Sequence, residues 1–184
     1  MCRLTSGFAL LLGLLVLLLA PTAAETRPTV WTGTTVRVMD YTTPMWEGIV
    51  AGMVDEFNAM LPEAAPRLVY RRMPERACQD MKKQVVAGAI VVCSTAMAPY
   101  AGWTRVWGDR TEVIATRIVL NDRLFLTDRF ATNTVCHELM HAVTGIKDKY
   151  DRRRKTSCVW GDLPAPGQFD VAYAQKVYEP ADPR

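Results

Sequence analysis

The chain has 184 residues, of which 49% are hydrophobic and 22% are charged, and its formal net charge is +3. These values are ordinary for one globular domain, which at this size buries enough apolar surface to fold without a metal. So small a charge excludes a strongly basic nucleic-acid-binding protein, and the one basic run, at residues 152–155, directly follows Asp151 and is typical of a solvated loop.

Residues 1–24 have the layout of a secretory signal peptide. Arg3 gives a positively charged start, residues 8–20 form a leucine-rich apolar stretch, and Thr22-Ala23-Ala24 supply the small residues of a cleavage site. The apolar stretch is shorter than the run of about 20 residues that a membrane span needs. We therefore expect a secreted protein with no stable membrane span after cleavage, and an uncleaved anchor is the alternative.

The order of apolar patterns predicts one mixed α/β domain over residues 35–184, with helices packed on a sheet. Alternating residues indicate strands, apolar residues every three or four positions indicate helices, and continuous apolar runs indicate buried strands. Ahead of the domain, residues 25–34 are expected to form a flexible lead-in. The predicted elements are a strand at 35–39, a helix at 44–61 capped by Thr43, a strand at 68–70, a short helix at 81–86, strands at 89–93 and 113–120, a helix from 128 onwards, and a helix at 170–178.

The predicted helix from residue 128 carries an HExxH motif, His137-Glu138-Leu139-Met140-His141. Residues four apart share one helix face, so both imidazoles can bind one metal ion, and Zn²⁺ suits such ligands. Glu138 is then placed to act as general base on a water that the metal makes acidic. His137 and His141 are the only two histidines of the chain, which makes a chance match improbable. The structural alternative is a surface helix with two ordinary polar histidines.

A catalytic zinc ion takes three protein ligands and keeps one position open. The chain has no third histidine, so a carboxylate must supply the remaining ligand. Gly145 can end the helix and let the chain turn back towards the metal, and Asp148 follows three residues later. Asp148 is therefore the first choice, Asp151 is the second, and Asp162 and Asp170 are more remote alternatives.

Residues 137–150 resemble the zinc-binding stretch of metzincin peptidases. Their ending, from Gly145 to Tyr150, is similar to that of the snapalysins, small secreted bacterial proteases whose third ligand is an aspartate followed by x-Tyr. The resemblance implies Asp148 as the third ligand and Tyr150 as a nearby pocket residue. This chain has three residues between His141 and Gly145, where the family has two.

A second stretch, Ser157-Cys158-Val159-Trp160, resembles the Met-turn of matrixins. Val159 stands where the methionine would be, and the resemblance places Val159 and Trp160 beside the pocket. It also implies that residues 113–120 are the edge strand that pairs with an extended peptide substrate.

Four cysteines remain after the signal peptide, an even number that fits two disulfides in an oxidising compartment. In some matrixin-like proteins a cysteine just before the motif bridges to one in the turn. The resemblance therefore implies a Cys136–Cys158 bridge, which leaves Cys78 to pair with Cys93.

Together these features predict a secreted, monomeric zinc metalloendopeptidase of metzincin-like fold. That fold is a twisted mixed sheet with two long helices, HExxH on the second, and a C-terminal helix. The enzyme would hydrolyse peptide bonds in polypeptides with Zn²⁺ as cofactor and Glu138 as general base. Two alternatives stay open: a zinc-dependent hydrolase of another amide, such as one in the cell wall, and a non-catalytic secreted relative that binds metal or peptide. Glu138 argues against the second alternative, because a structural metal site needs no base.

Overall fold

A computed structural model describes residues 30–81, 85–109, 111–124, 127–148 and 155–179. The predicted signal peptide, Tyr150 and Asp151 lie outside the described residues. No helix within the described ranges is long and apolar enough to cross a membrane.

The described residues contain five strands, which form one mixed sheet. They are β1 (Thr35–Asp40), β2 (Arg67–Arg72), β3 (Ala89–Thr95), β4 (Gly102–Gly108) and β5 (Val113–Asn121). Their order across the sheet is β2-β1-β3-β5-β4. The first four in this order run parallel, and β4 runs antiparallel to β5. The mixed sheet expected from the sequence is therefore present.

Three α-helices within the described part of the chain cover one face of the sheet. They are α1 (Pro44–Met60), α2 (Asp128–Thr144) and α3 (Gln168–Tyr178). Phe57 of α1, Leu139 of α2 and Tyr178 of α3 share one buried cluster with the sheet residues Ile90 and Val92. This cluster positions α2, which carries the HExxH motif, against the sheet.

A smaller buried cluster lies on the opposite face of the sheet. Val91 belongs to it, whereas its neighbours Ile90 and Val92 face the helices, because successive side chains of a strand point to opposite faces. Met81, at the end of a 3-10 turn over Cys78–Met81, covers this second face. The short helix predicted at 81–86 was therefore placed too late in the chain, and residues 82–84 lie outside the described part.

The edge of the sheet beside α2 is β4, so the prediction that residues 113–120 form the edge strand was wrong. β5 pairs with β3 on one side and with β4 on the other, which leaves it in the interior. The strand β4 was not predicted, because its side chains are mostly exposed or half-buried and glycines stand at both ends. Its pattern therefore lacks the apolar run or clean alternation that indicates a strand.

The start of the fold also differs from the prediction. Trp31 lies in the expected flexible lead-in, yet it is only 5% exposed. Its indole N–H donates to the carbonyl of Ala142 in α2 at 2.9 Å. Burial of a large aromatic ring is favourable when its N–H has a hydrogen-bond acceptor, which explains why Trp31 is buried here. Ordered structure is therefore present within the predicted lead-in, where Val30 already forms a β-bridge with Glu112.

Thr43 precedes α1 as predicted, but its side chain does not cap the helix. Its hydroxyl donates instead to Asp122, at 3.1 Å, which also accepts the indole N–H of Trp46 at 2.9 Å. The start of α1 is thus tied to the end of β5 through one carboxylate.

The two disulfides are those predicted. Cys78 and Cys93 are joined with an S–S distance of 2.13 Å, and Cys136 and Cys158 with 2.07 Å. The first bridge ties the 3-10 turn to β3. The second ties α2, at the residue before His137, to the turn at Ser157–Trp160.

We expect the double substitution Cys78→Ala and Cys93→Ala to lower the free energy of unfolding by about 3 kcal/mol. The reason is that the bridge joins two cysteines 15 positions apart in the sequence and so restricts the unfolded chain between them. Urea denaturation of variant and wild type would measure the loss. A loss below about 1 kcal/mol would contradict a stabilising role for this bridge.

Candidate active site

The helix α2 has clear signals at both ends. At its start, the Thr127 hydroxyl accepts the backbone N–H of Phe130 at 3.1 Å, which satisfies a donor that has no partner within the helix. At its end, Gly145 adopts a left-handed conformation with φ of 66°, and its N–H donates to the carbonyl of His141. Glycine adopts this conformation at little cost, so the helix ends where the sequence predicts.

Three possible ligand atoms converge, two from histidines of α2 and one from Asp148, just beyond its end. His141 Nε2 lies 3.0 Å from His137 Nε2 and 3.1 Å from Asp148 Oδ1. Asp148 Oδ1 is also 3.2 Å from His137 Nε2. Zinc bonds of about 2.0–2.2 Å at a tetrahedral angle would place neighbouring ligand atoms about 3.3–3.6 Å apart, a few tenths of an ångström farther than they lie here. The spacing therefore fits three ligands of one zinc ion.

The hydrogen bonds of His141 identify which nitrogen can bind the metal. Its Nδ1 lies 2.5 Å from the carbonyl oxygen of Ile146, which can only accept, so Nδ1 carries the proton. The neutral ring then presents the lone pair of Nε2 towards Asp148, an arrangement that an added cation would stabilise. The lone pair of His141 Nε2 and the carboxylate oxygen of Asp148 repel each other when no proton lies between them. A divalent metal ion between the two atoms would remove this repulsion.

His137 is held in the form that binds metals. Burial lowers the pKa of His137, and the neighbouring His141 lowers it further. Hydrogen bonds to the backbone of Cys158 and Val159 act in the opposite direction. The lowered pKa keeps the imidazole neutral at pH 7, and those same bonds seat the ring on the turn that the second disulfide attaches to α2.

Glu138 is almost completely buried between α2 and β4. It is 5% exposed, and the hydroxyl of Thr104 on β4 donates to its Oε2 at 2.6 Å. Burial raises the pKa of Glu138 to about 7, against the lowering effects of the Thr104 hydrogen bond and of His141. A carboxyl group in this range can both accept and release a proton near neutral pH.

Gly102, at the start of β4, lets the strand approach this carboxyl group. A Cβ atom at position 102 would lie 2.8 Å from Glu138 Cγ, 2.9 Å from its Oε1 and 3.0 Å from Thr134 Cγ2. Such distances are too short for any side chain. Gly102 and Thr104 thus define the surroundings of Glu138, and sequence reasoning missed both because it missed their strand.

The alternative carboxylate ligands lie elsewhere. Among the described residues, the group that could hold a metal ion comprises His137, His141 and Asp148 and includes neither Asp162 nor Asp170. Asp170 is fully buried, and its carboxylate accepts the Ser157 hydroxyl at 2.6 Å and the Cys158 N–H at 2.9 Å. Asp170 therefore holds the turn that contacts His137. Asp151, the second choice for the ligand, lies outside the described residues.

The predicted pocket residues are described only in part. Val159 is buried, and its backbone contacts the ring of His137. Trp160 is half-buried and packs against Phe169, with ring centroids 4.5 Å apart. Tyr150 lies outside the described residues, so the role of all three in a substrate pocket stays a prediction.

The structure is similar to that of archaemetzincin from Methanopyrus kandleri, with a TM-score of 0.52. The similarity covers 79% of this chain and 96% of that chain, at 14% sequence identity. The fold is metzincin-like. This confirms the fold expected from the sequence, whereas a closer relationship to matrixins or snapalysins is not supported. No protein-family model matches the chain, and no curated protein does.

We expect Gly102→Ala to lower the free energy of unfolding by about 1–3 kcal/mol, because the new methyl group must displace Glu138 or β4. Gly52→Ala is a matched control. Gly52 lies on α1 with no atom within 4 Å of an added Cβ, so this change should instead raise stability by up to about 1 kcal/mol. Equal effects of the two substitutions in thermal denaturation would contradict the close approach of β4 to Glu138.

Proposed function

We propose that this chain is a secreted zinc-dependent endopeptidase. The observation that carries the proposal is the convergence of His137, His141 and Asp148 within 3.0–3.2 Å of one another, beside the buried carboxyl group of Glu138. The metzincin-like fold supports the broader part of this proposal, that the chain is a zinc metallopeptidase. When bound, zinc would supply Lewis acidity that polarises the scissile carbonyl and makes water more acidic.

The ligand set favours a catalytic rather than a structural metal. Structural zinc sites are closed by four protein ligands, whereas catalytic sites have three and keep one position open. Within the described ranges, the group around the site has three members. Asp148 has 73% of its side chain exposed, so the site opens to solvent and to substrate.

Glu138 would act as general base and then as general acid. It takes a proton from the attacking water as the water oxygen bonds to the carbonyl carbon. As the C–N bond breaks, the same proton goes to the leaving amine. The Thr104 hydroxyl donates to Oε2 and so fixes the orientation of the carboxyl group that carries this proton. A pKa of about 7 suits both steps, because neither protonation state is strongly favoured near neutral pH.

The sheet edge at β4 would hold an extended substrate. β4 pairs with β5 on one side, and no strand of the described part pairs with its other side. The N–H and C=O groups of such an edge can bind an extended peptide by adding it to the sheet. Gly102 and Thr104 bring this edge against Glu138, next to the metal ligands. An open edge accepts the middle of a chain, which supports endopeptidase activity on polypeptides.

The proposed location outside the cell rests on two features. Residues 1–24 have the layout of a signal peptide, and the two disulfides are typical of an oxidising compartment. We propose that the mature chain acts as a monomer, with a polypeptide as its substrate.

We expect Glu138→Gln to reduce hydrolysis of casein by about 10²- to 10⁴-fold while bound zinc is retained, because the amide cannot accept the proton. Glu56→Gln is the matched control, since Glu56 is exposed on α1. It should leave both hydrolysis and bound zinc unchanged. The assay uses the zinc-loaded protein purified with its disulfides intact.

The other outcomes separate the alternatives. Hydrolysis of cell-wall amides, but not of casein or a peptide library, would replace the endopeptidase proposal by the broader amide-hydrolase one. Bound zinc without hydrolysis of any of these substrates would support a non-catalytic metal-binding protein.

A further inference from the structure

The carboxyl end of α2 has partners from both ends of the folded chain. The indole N–H of Trp31 donates to the carbonyl of Ala142 at 2.9 Å, and the hydroxyl of Tyr178 donates to the carbonyl of Val143 at 2.5 Å. The last four carbonyls of a helix have no partner within the helix. Trp31 and Tyr178 therefore satisfy two consecutive carbonyls that would otherwise need other donors.

Water cannot easily replace these two donors. Trp31 is 5% exposed and Tyr178 is 8% exposed, while Ala142 and Val143 are fully buried. All four belong to the main buried cluster of the protein. A buried carbonyl without a donor is unfavourable, so losing either side chain would favour fraying or displacement of the last turn of α2.

This last turn sets the position of two metal ligands. His141 directly precedes Ala142, and its Nδ1 donates to the carbonyl of Ile146, just beyond the helix. Asp148 follows two residues later and has 73% of its side chain exposed, so packing around the side chain does little to hold it. Its position depends mainly on the path of the backbone from the end of α2.

We propose that Trp31 and Tyr178 are positioning residues for the metal site. Through the carbonyls of Ala142 and Val143 they hold the end of α2 in the form that brings His141 and Asp148 together. The proposal rests on the metal site of the proposed function, and it adds that this site is complete only when both Trp31 and Tyr178 contact α2.

The same hydrogen bond links the metal site to the segment around Trp31. Trp31 is held near the start of the described fold by the neighbouring carbonyl of Val30, which accepts the N–H of Val113 at 2.9 Å. Proteolytic removal of the chain through Trp31 would take away one of the two donors. Trimming of the N-terminal segment would therefore weaken metal binding, although it removes no ligand.

The test compares zinc affinity in two matched pairs of variants, by competition with a chelator. Trp31→Phe and Tyr178→Phe keep an aromatic ring and remove the donor. Trp46→Phe is the control for the first, because the indole N–H of Trp46 is buried and donates to the carboxylate of Asp122, which is not among the proposed metal ligands. Tyr70→Phe is the control for the second, because the Tyr70 hydroxyl donates to Asp40. Thermal denaturation of the zinc-free forms gives the loss of stability of each variant.

We expect Trp31→Phe and Tyr178→Phe each to weaken zinc binding by about tenfold, as is usual for residues that orient metal ligands. The two controls should bind zinc like the wild type, even where their loss of stability is as large. The absorption spectrum with Co²⁺ in place of zinc should change only in the first two variants, because it reports ligand geometry.

Two results would overturn the inference in distinguishable ways. If the wild type binds zinc and both test variants bind it as tightly as their controls, the positioning role is wrong and the metal site stands. If the wild type binds no zinc, the proposed function fails and the positioning role fails with it.

Discussion

The hydrogen bond from His141 Nδ1 to the carbonyl of Ile146 is the interaction on which the rest of the site depends. It fixes the tautomer of His141, so that Nε2 presents a lone pair, and it ties the ring to the chain just after the left-handed turn at Gly145. Because the chain turns back here, Asp148 reaches both imidazoles from only seven residues beyond His141. The position of Asp148, the proposed third ligand, therefore follows from how the helix ends.

The position of β4 adds the second constraint. With glycine at position 102, the strand lies close to Glu138 without displacing its side chain, and the Thr104 hydroxyl reaches its carboxylate. Burial beneath the strand raises the pKa of Glu138, and the same strand forms the sheet edge that we propose as the substrate-binding edge. The base and the proposed peptide-binding edge thus depend on one close contact between β4 and α2.

The parts that could be predicted are those whose signal is local in sequence. Apolar spacing predicts α1 because that helix buries one face, and a continuous apolar run predicts β3 because that strand is buried on both faces. The spacing of His137 and His141 on one helix predicts the metal pair. The half-exposed strand β4 has no regular apolar pattern, so it was not predicted. Because β4 pairs with β5, the interior position of β5 could not be predicted either. Trp31 could not be linked to α2 either, since its hydrogen bond spans 111 residues and no local rule predicts such a contact.

The most direct test of the central claim is the zinc content of residues 25–184 produced in an oxidising compartment, measured for wild type, His141→Ala, Asp148→Ala and Asp162→Ala. The account predicts about one zinc ion per chain in the wild type, as expected for a three-ligand catalytic site. It predicts loss of the metal in His141→Ala, weaker binding in Asp148→Ala and an unchanged content in Asp162→Ala. A wild type without zinc after reconstitution at neutral pH would contradict the account. So would an Asp148→Ala variant that binds zinc as tightly as the wild type.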